Sequence, residues 1–151
     1  MRSNKSISTE CPFCEEGAIE TRIIFKDNLV VAFPTNIPIT PGHILISPNR
    51  HVSNIDELTD EELKALRNLI VKIKHSLKKS LYAEGFNIAW NEGEVAGQSV
   101  NHLHIHIVPR KMGDTGIHEY DPRKFLYRSG SRNESPDSEL REIAKLVRHS
   151  M

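Results

Sequence analysis

His102, His104 and His106 alternate with Leu103, Ile105 and Ile107 in the run 102–109. Strict period-2 alternation is the pattern of a half-buried β-strand, so the aliphatic side chains enter a core while the imidazoles share the opposite face. Same-face positions lie about 6.6–6.8 Å apart along a strand, close enough for neighbouring rings to bracket one small anionic group. Imidazole titrates near neutral pH and serves as nucleophile, proton donor or metal ligand according to which ring nitrogen carries the proton. Upstream, the run 94–100 holds Gly97, Gln98 and Ser99 in a turn whose backbone N–H groups and hydroxyl can face the same anion. A phosphate suits such a site. A solvated strand face would rarely select histidine three times. A catalytic zinc held by several of the triad is the stronger rival.

The only cysteines form Cys11-Pro12-Phe13-Cys14. C-x-x-C serves both redox sites and metal hooks. A thioredoxin-type site would place the pair between a strand and the start of a helix. Here it sits in a polar N-terminal segment with no strong strand before it, which leaves a metal hook or two thiols in a flexible tail.

The run Gly97-Gln98-Ser99-Val100-Asn101-His102-Leu103-His104-Ile105-His106, continued by Ile107-Val108-Pro109-Arg110, resembles the histidine triad family of nucleotide hydrolases and transferases. Pro41-Gly42-His43 followed by Ile44 to Pro48, and Asn91-Glu92-Gly93 ahead of the triad, extend the likeness over most of 28–113. The resemblance implies nucleotidyl transfer. His104 is then the nucleophile, its other ring nitrogen donating to a main-chain carbonyl, and attack on the α-phosphorus of a nucleotide ester, anhydride or phosphoramidate gives a nucleotidyl-His104 intermediate that water cleaves. Negative charge spreads over phosphoryl oxygens in such a step, so donors around them matter most. By resemblance His106 contacts the phosphate and protonates the leaving group, His43 lies beside the same phosphate, and Asn91, Ser99 and the neighbouring Gln98 face its oxygens.

Some members of that family complete a zinc site from an N-terminal C-x-x-C, a later histidine and the first triad histidine. The matching positions are Cys11, Cys14, His51 and His102. Two thiolates with two imidazoles make a closed tetrahedral set, the signature of structural zinc. Such a metal holds the triad strand without performing the reaction.

The family often carries Asp or Asn eight residues before the Pro-Gly-His histidine to bind ribose hydroxyls. This chain has Thr35 there, with Asn36 next to it, so either Asn36 serves or the sugar is held differently. Phe33 is a candidate wall of the base pocket. Arg110, Lys111, Gly113 and Asp114 resemble the dinucleoside polyphosphate hydrolase and phosphorylase branch, where a basic loop follows the triad. Arg123, Lys124, Arg128 and Arg132 then either neutralise the phosphates of a polyphosphate leaving group or form a solvated basic loop. Phosphoramidate hydrolysis and non-catalytic nucleotide binding are the alternatives, and the family likeness implies a homodimer through the long helix and the strand before the triad.

The elements that must position these residues follow from patterning. A chain of 151 residues with 38% hydrophobic content supports a single domain over 11–151, with an extension from about 110 and a flexible segment over 1–10. Twenty acidic and twenty basic residues cancel, which gives no bias toward nucleic acid or membrane. No apolar run is long enough for a membrane span, and the N-terminus lacks a secretory h-region. A cytoplasmic setting is expected, where reduced thiols favour metal over disulfide.

Ala18–Phe25 and Asn28–Phe33 read as a strand hairpin, Ile44–Ser47 as a third strand and Phe86–Trp90 as a fourth. The capping box Thr59-Asp60-Glu61-Glu62 opens a helix to about Ala83, with Leu63, Leu66, Leu69, Ile70, Ile73, Leu77 and Leu81 as its apolar stripe. A last helix starts at Ser135 as N-cap, with Pro136 at its first position, and carries Leu140, Ile143, Ala144 and Val147. His75 and His149 fall on solvated helix faces, and His118 in a loop. The order of elements predicts an α+β domain built on a mainly antiparallel sheet.

Overall fold

A computed structural model of the chain describes residues 11–114 and 134–151. The segment ahead of Cys11, His118 and the basic positions Arg123, Lys124, Arg128 and Arg132 lie outside the described residues. Helix α1 (Asp60–Leu81) begins where its capping box puts it: Thr59 Oγ1 accepts from the Glu62 N–H at 3.1 Å and the Thr59 N–H donates to Glu62 Oε1 at 2.9 Å. Arg50 adds a two-pronged contact, Nη2 to Glu62 Oε1 at 2.7 Å and Nε to Oε2 at 3.1 Å. These bonds from Arg50 hold the buried Glu62 carboxyl below its ordinary pKa. The tie is therefore fully present above the ordinary carboxylate range and is lost as the pH falls through the lowered value.

Five strands form one sheet: β1 (Phe25–Lys26), β2 (Val30–Pro34), β3 (Ile44–Pro48), β4 (Gly85–Ala89) and β5 (Ile105–Arg110). Their spatial order is β1-β2-β3-β5-β4, and every pairing is antiparallel. The strand that ends the histidine run thus sits inside the sheet, with Ile107 opposite Ile44 and Ile88, and His106 opposite Leu45 and Ala89. Alternation sorts the faces. Val30, Ala32, Ile44, Ile46, Ile105 and Ile107 meet Leu66, Leu69, Ile73 and Leu77 of α1 and Ala144 and Val147 of α2 (Asp137–His149). On the reverse face Val31, Phe33 and Leu45 cluster with Ile19 and the ring of Phe13. Strands β2 and β3 are buried on both faces, which is why they read as continuous apolar runs. This is the expected α+β architecture. No helix among the described residues is long and apolar enough to cross a membrane.

Four local expectations are revised. The first strand is cut to Phe25–Lys26, and Glu20–Arg22 forms a 3-10 turn, because the segment wraps the sheet edge and sends Ile19 to one face and Ile24 to the other. Leu63, counted in the apolar stripe, is 47% exposed, since neither the sheet nor α2 covers the first turn of α1 on that side. Pro136 is itself the N-cap of α2, with ψ 146°, while the Ser135 N–H is drawn to the Asn36 carbonyl at 2.7 Å. The ladder of β5 starts at Ile105, because the His102 and Leu103 N–H groups bond instead to the carbonyls of Val100 and Val52.

The Pro-Gly-His turn is fixed by close approach. Gly42 has φ +88°, and a Cβ there would run into Leu81 Cδ1, with Leu77 Cδ2 and Pro109 Cγ each 3.3 Å away. The turn before β3 thereby seats against the C-terminal end of α1. Gly42→Ala is expected to destabilise the protein by about 2 kcal/mol or more, from strain plus overpacking. Gly17→Ala, at φ +83° with nothing within 4 Å, should cost only about 1 kcal/mol. Urea unfolding midpoints of the two variants check the difference; equal costs would remove the packing part.

Candidate functional site

Sidedness survives the irregular start of the run. The rings of His104 and His106 lie 5.1 Å apart between centroids, and the His43 ring lies 5.1 Å from that of His106. Main-chain groups set the protons, because an amide can only donate and a carbonyl can only accept. The Ile39 N–H donates to His43 Nδ1 at 3.0 Å, so neutral His43 carries its proton on Nε2. That nitrogen donates to His106 Nδ1 at 2.9 Å, which places the His106 proton on Nε2. His104 Nδ1 lies 2.7 Å from the His102 carbonyl and donates to it, so Nε2 of His104 is the unprotonated nitrogen. The reverse face of the sheet therefore presents a basic nitrogen beside an N–H donor.

Both rings border a cavity of about 310 Å³, within the range of small-ligand sites. Asn91, Ser99, Thr35 and Asn36 line it as well, with Phe13, Ile19 and Ile37 supplying apolar wall. Gly93 (φ +93°) and Gly97 (φ +97°) bend the chain so that Asn91 and Ser99 reach the same space. Three residues expected at the substrate stand elsewhere. Gln98 does not line the cavity; its amide is spent as a clamp, accepting from the Gly93 N–H at 2.8 Å and donating to the Ser53 carbonyl at 2.8 Å. Phe33 is fully buried behind the wall, edge-on to Phe13 at 5.2 Å, and it is Phe13 that faces the cavity. His43 is buried and reaches the cavity through His106.

Phe13 and Arg22 also line the cavity, and the sequence did not single them out. Phe13 lay within view as a middle residue of the C-x-x-C. Arg22 carried no signal, because only the turn at Glu20–Arg22 brings it across the sheet edge.

Beside His104, Cys11, Cys14, His51 and His102 converge, their ligand atoms all within 4.8 Å of one another. Cys14 Sγ is 3.3 Å from both His51 Nδ1 and His102 Nδ1, and Cys11 Sγ is 3.4 Å from His102 Nδ1. Sulfur and nitrogen at tetrahedral positions on zinc would be separated by about 3.6 Å, so the spacing fits such an ion. The donor chemistry fits too. His102 Nε2 donates to the Pro48 carbonyl at 2.8 Å, which leaves Nδ1 unprotonated toward the sulfurs, and burial pushes its pKa down to about 4. Burial, followed by the hydrogen bond and charge of Cys11, pushes the Cys14 thiol up to about 11. A dication among these groups would reverse that penalty and stabilise thiolates. The four residues can hold a metal ion.

These features have counterparts in known proteins. The HIT domain family model matches residues 16–113. An uncharacterised HIT-like protein of Methanocaldococcus jannaschii is 42% identical over 106 residues, covering 69% of this chain and 81% of that protein. The bis(5'-adenosyl)-triphosphatase of Dictyostelium discoideum is 33% identical over 128 residues, 82% of this chain and 86% of the relative. Among solved structures, a zinc-bound histidine triad family protein from Mycobacterium smegmatis superposes with a TM-score of 0.74 at 29% identity, over 95% of this chain and 94% of that one. With the histidine run, the antiparallel sheet and the family model in agreement, the chain belongs to the HIT domain family.

Proposed function

We propose that this protein is a nucleotidyl hydrolase or transferase that cleaves a nucleoside phosphoanhydride, such as a dinucleoside polyphosphate, through a covalent nucleotidyl-His104 intermediate. The unprotonated Nε2 of His104, held by the bond from Nδ1–H to the His102 carbonyl, is the observation that carries this reading. In the first step Nε2 attacks the α-phosphorus, the N–P bond forms and the bond to the leaving oxygen breaks. The Nε2–H of His106 supplies a hydrogen bond or proton to the departing oxygen, and the donor His43 on its other side keeps that proton on Nε2. Asn91 and Ser99 stand at the cavity wall as neutral donors to the phosphoryl oxygens. In the second step water forms the new P–O bond as N–P breaks; its proton replaces on His106 Nε2 the one that left with the first product, or goes to solvent where none left, and His104 returns with its proton on Nδ1.

A structural zinc at Cys11, Cys14, His51 and His102 fits alongside this chemistry, because all four positions are taken by protein and none is left for water. Its chemistry there would be to hold thiolates and neutral imidazoles together, and through His102 to hold the carbonyl that orients His104. A cytoplasmic homodimer is the matching assembly: β4 is a sheet edge, and Ile88 and Trp90 at its end are 41% and 40% exposed.

Two measurements test the reading. Brief mixing with diadenosine tetraphosphate or triphosphate, quenched in alkali, should give a nucleotidyl mass on the wild-type protein. His104→Ala should remove both this adduct and at least about a thousandfold of turnover while nucleotide binding persists; unchanged turnover would falsify the reading, and an adduct seen only with a nucleoside phosphoramidate would move the substrate to that class. Native mass spectrometry should find one zinc per chain, absent in Cys14→Ser. Chelation should lower activity and melting temperature together, whereas lost activity in a chain that still melts at its original temperature would make the metal catalytic.

A further inference from the structure

The cavity holds polar groups that phosphoryl transfer does not use. Arg22 lines it, half-buried, and is the sole Lys, Arg, Asp or Glu among the described lining residues. Its Nε donates to the Pro34 carbonyl at 3.0 Å, its Nη1 to the Ala18 carbonyl at 3.4 Å, and its Cζ stands 5.7 Å from the centre of the Phe33 ring. These contacts hold the guanidinium against the C-terminal end of β2, beside Thr35. Nη2 has no hydrogen-bond partner among the described residues. Desolvation lowers the Arg22 pKa, and the charge of Asp137, at the start of α2, only partly offsets it. A half-buried cation in a cavity lined by no described carboxylate is a site for an anion.

The neighbours say which anion. Thr35 and Asn36 line the cavity next to Arg22 with a neutral hydroxyl and a neutral amide, and no carboxylate stands among the described lining residues. A carboxylate at a sugar subsite selects free hydroxyls, whereas a neutral residue with a nearby arginine accommodates a sugar phosphate. The phosphates of a 5'-leaving group would instead depart in line, away from His104 Nε2. Building on the nucleotide reading above, we propose that Arg22, with Thr35 and Asn36, forms a subsite for a phosphate on the ribose 2'- or 3'-oxygen. The favoured ligands are thus nucleotides whose sugar is itself phosphorylated.

Calorimetric titration of the full chain with AMP, ADP, adenosine 2',5'-bisphosphate and adenosine 3',5'-bisphosphate tests this. One bisphosphate should bind at least about tenfold tighter than AMP, the worth of one charge-assisted contact. Arg22→Gln should bring it back to the AMP value while AMP itself changes little. Thr35→Asp, which can keep the local turn because its carboxylate can still accept the Ile37 N–H, should invert the preference and serves if the Arg22 variant fails to fold. Equal binding of AMP and both bisphosphates would overturn this proposal and leave the nucleotide reading standing. A gain for ADP that vanishes in Arg22→Gln would also overturn it, by assigning the guanidinium to the 5'-chain. Failure of the wild-type chain to bind any of the four would overturn both.

Discussion

The site depends on main-chain carbonyls and amides that decide where imidazole protons sit. A histidine ring in solution exchanges its proton between two nitrogens, and only one of these forms presents a nucleophile in a given direction. Here the His102 carbonyl holds His104 in that form, and the Ile39 amide, acting through His43, holds His106 in the complementary one. Neither arrangement needs a buried charge. The backbone dipoles belong to segments packed on β3 and β5, so the ring orientations are fixed by the fold itself, which is what a preorganised polar site requires.

His102 couples two parts of the molecule that the chain keeps far apart. Its ring joins Cys11, Cys14 and His51, while its carbonyl orients His104. Phe13 makes a second link: the C-x-x-C that brings two sulfurs to His102 also lays this ring against His102 at 5.7 Å and His104 at 5.1 Å, where it forms cavity wall. Loosening the cysteine hook would therefore disturb the pocket directly as well as through His102. On the other side of the cysteine and histidine cluster, His51 follows Arg50, whose grip on Glu62 ties that loop to the first turn of α1. The capping box of α1 and the cysteine and histidine cluster thus brace one another through adjacent residues.

The sheet explains why so small a protein can spend so many polar groups on one face. Strands β2 and β3 are buried on both sides, and helices α1 and α2 cover only one of them. The other side closes over a short apolar cluster of Ile19, Val31, Phe33 and Leu45, beyond which the histidines stand. Stability rests mainly on the helix-covered face, where Ser76 of α1 also donates to the Val147 carbonyl of α2, and the reverse face is available for chemistry.

Where a periodicity or a short motif carried the information, the sequence was sufficient. Alternation of His102, His104 and His106 with aliphatic residues set the sidedness of the site, since side chains on extended backbone must alternate. The Thr59–Glu62 box set the start of α1, because its bonds close within four residues. The pairing of Cys11 and Cys14 with His51 and His102 came from likeness to a family and not from spacing; folding brings them together across up to 91 residues of chain. What only the tertiary structure decided were contacts between segments with no local signature. Gln98 turned inward as a clamp because Gly93 and Ser53 were within its reach, Phe13 displaced Phe33 from the wall, and Arg22 entered the cavity because a turn at the sheet edge carried it there. Local patterns prescribe which way a side chain leaves its own strand or helix, but what it meets depends on the distant segments that packing brings against it.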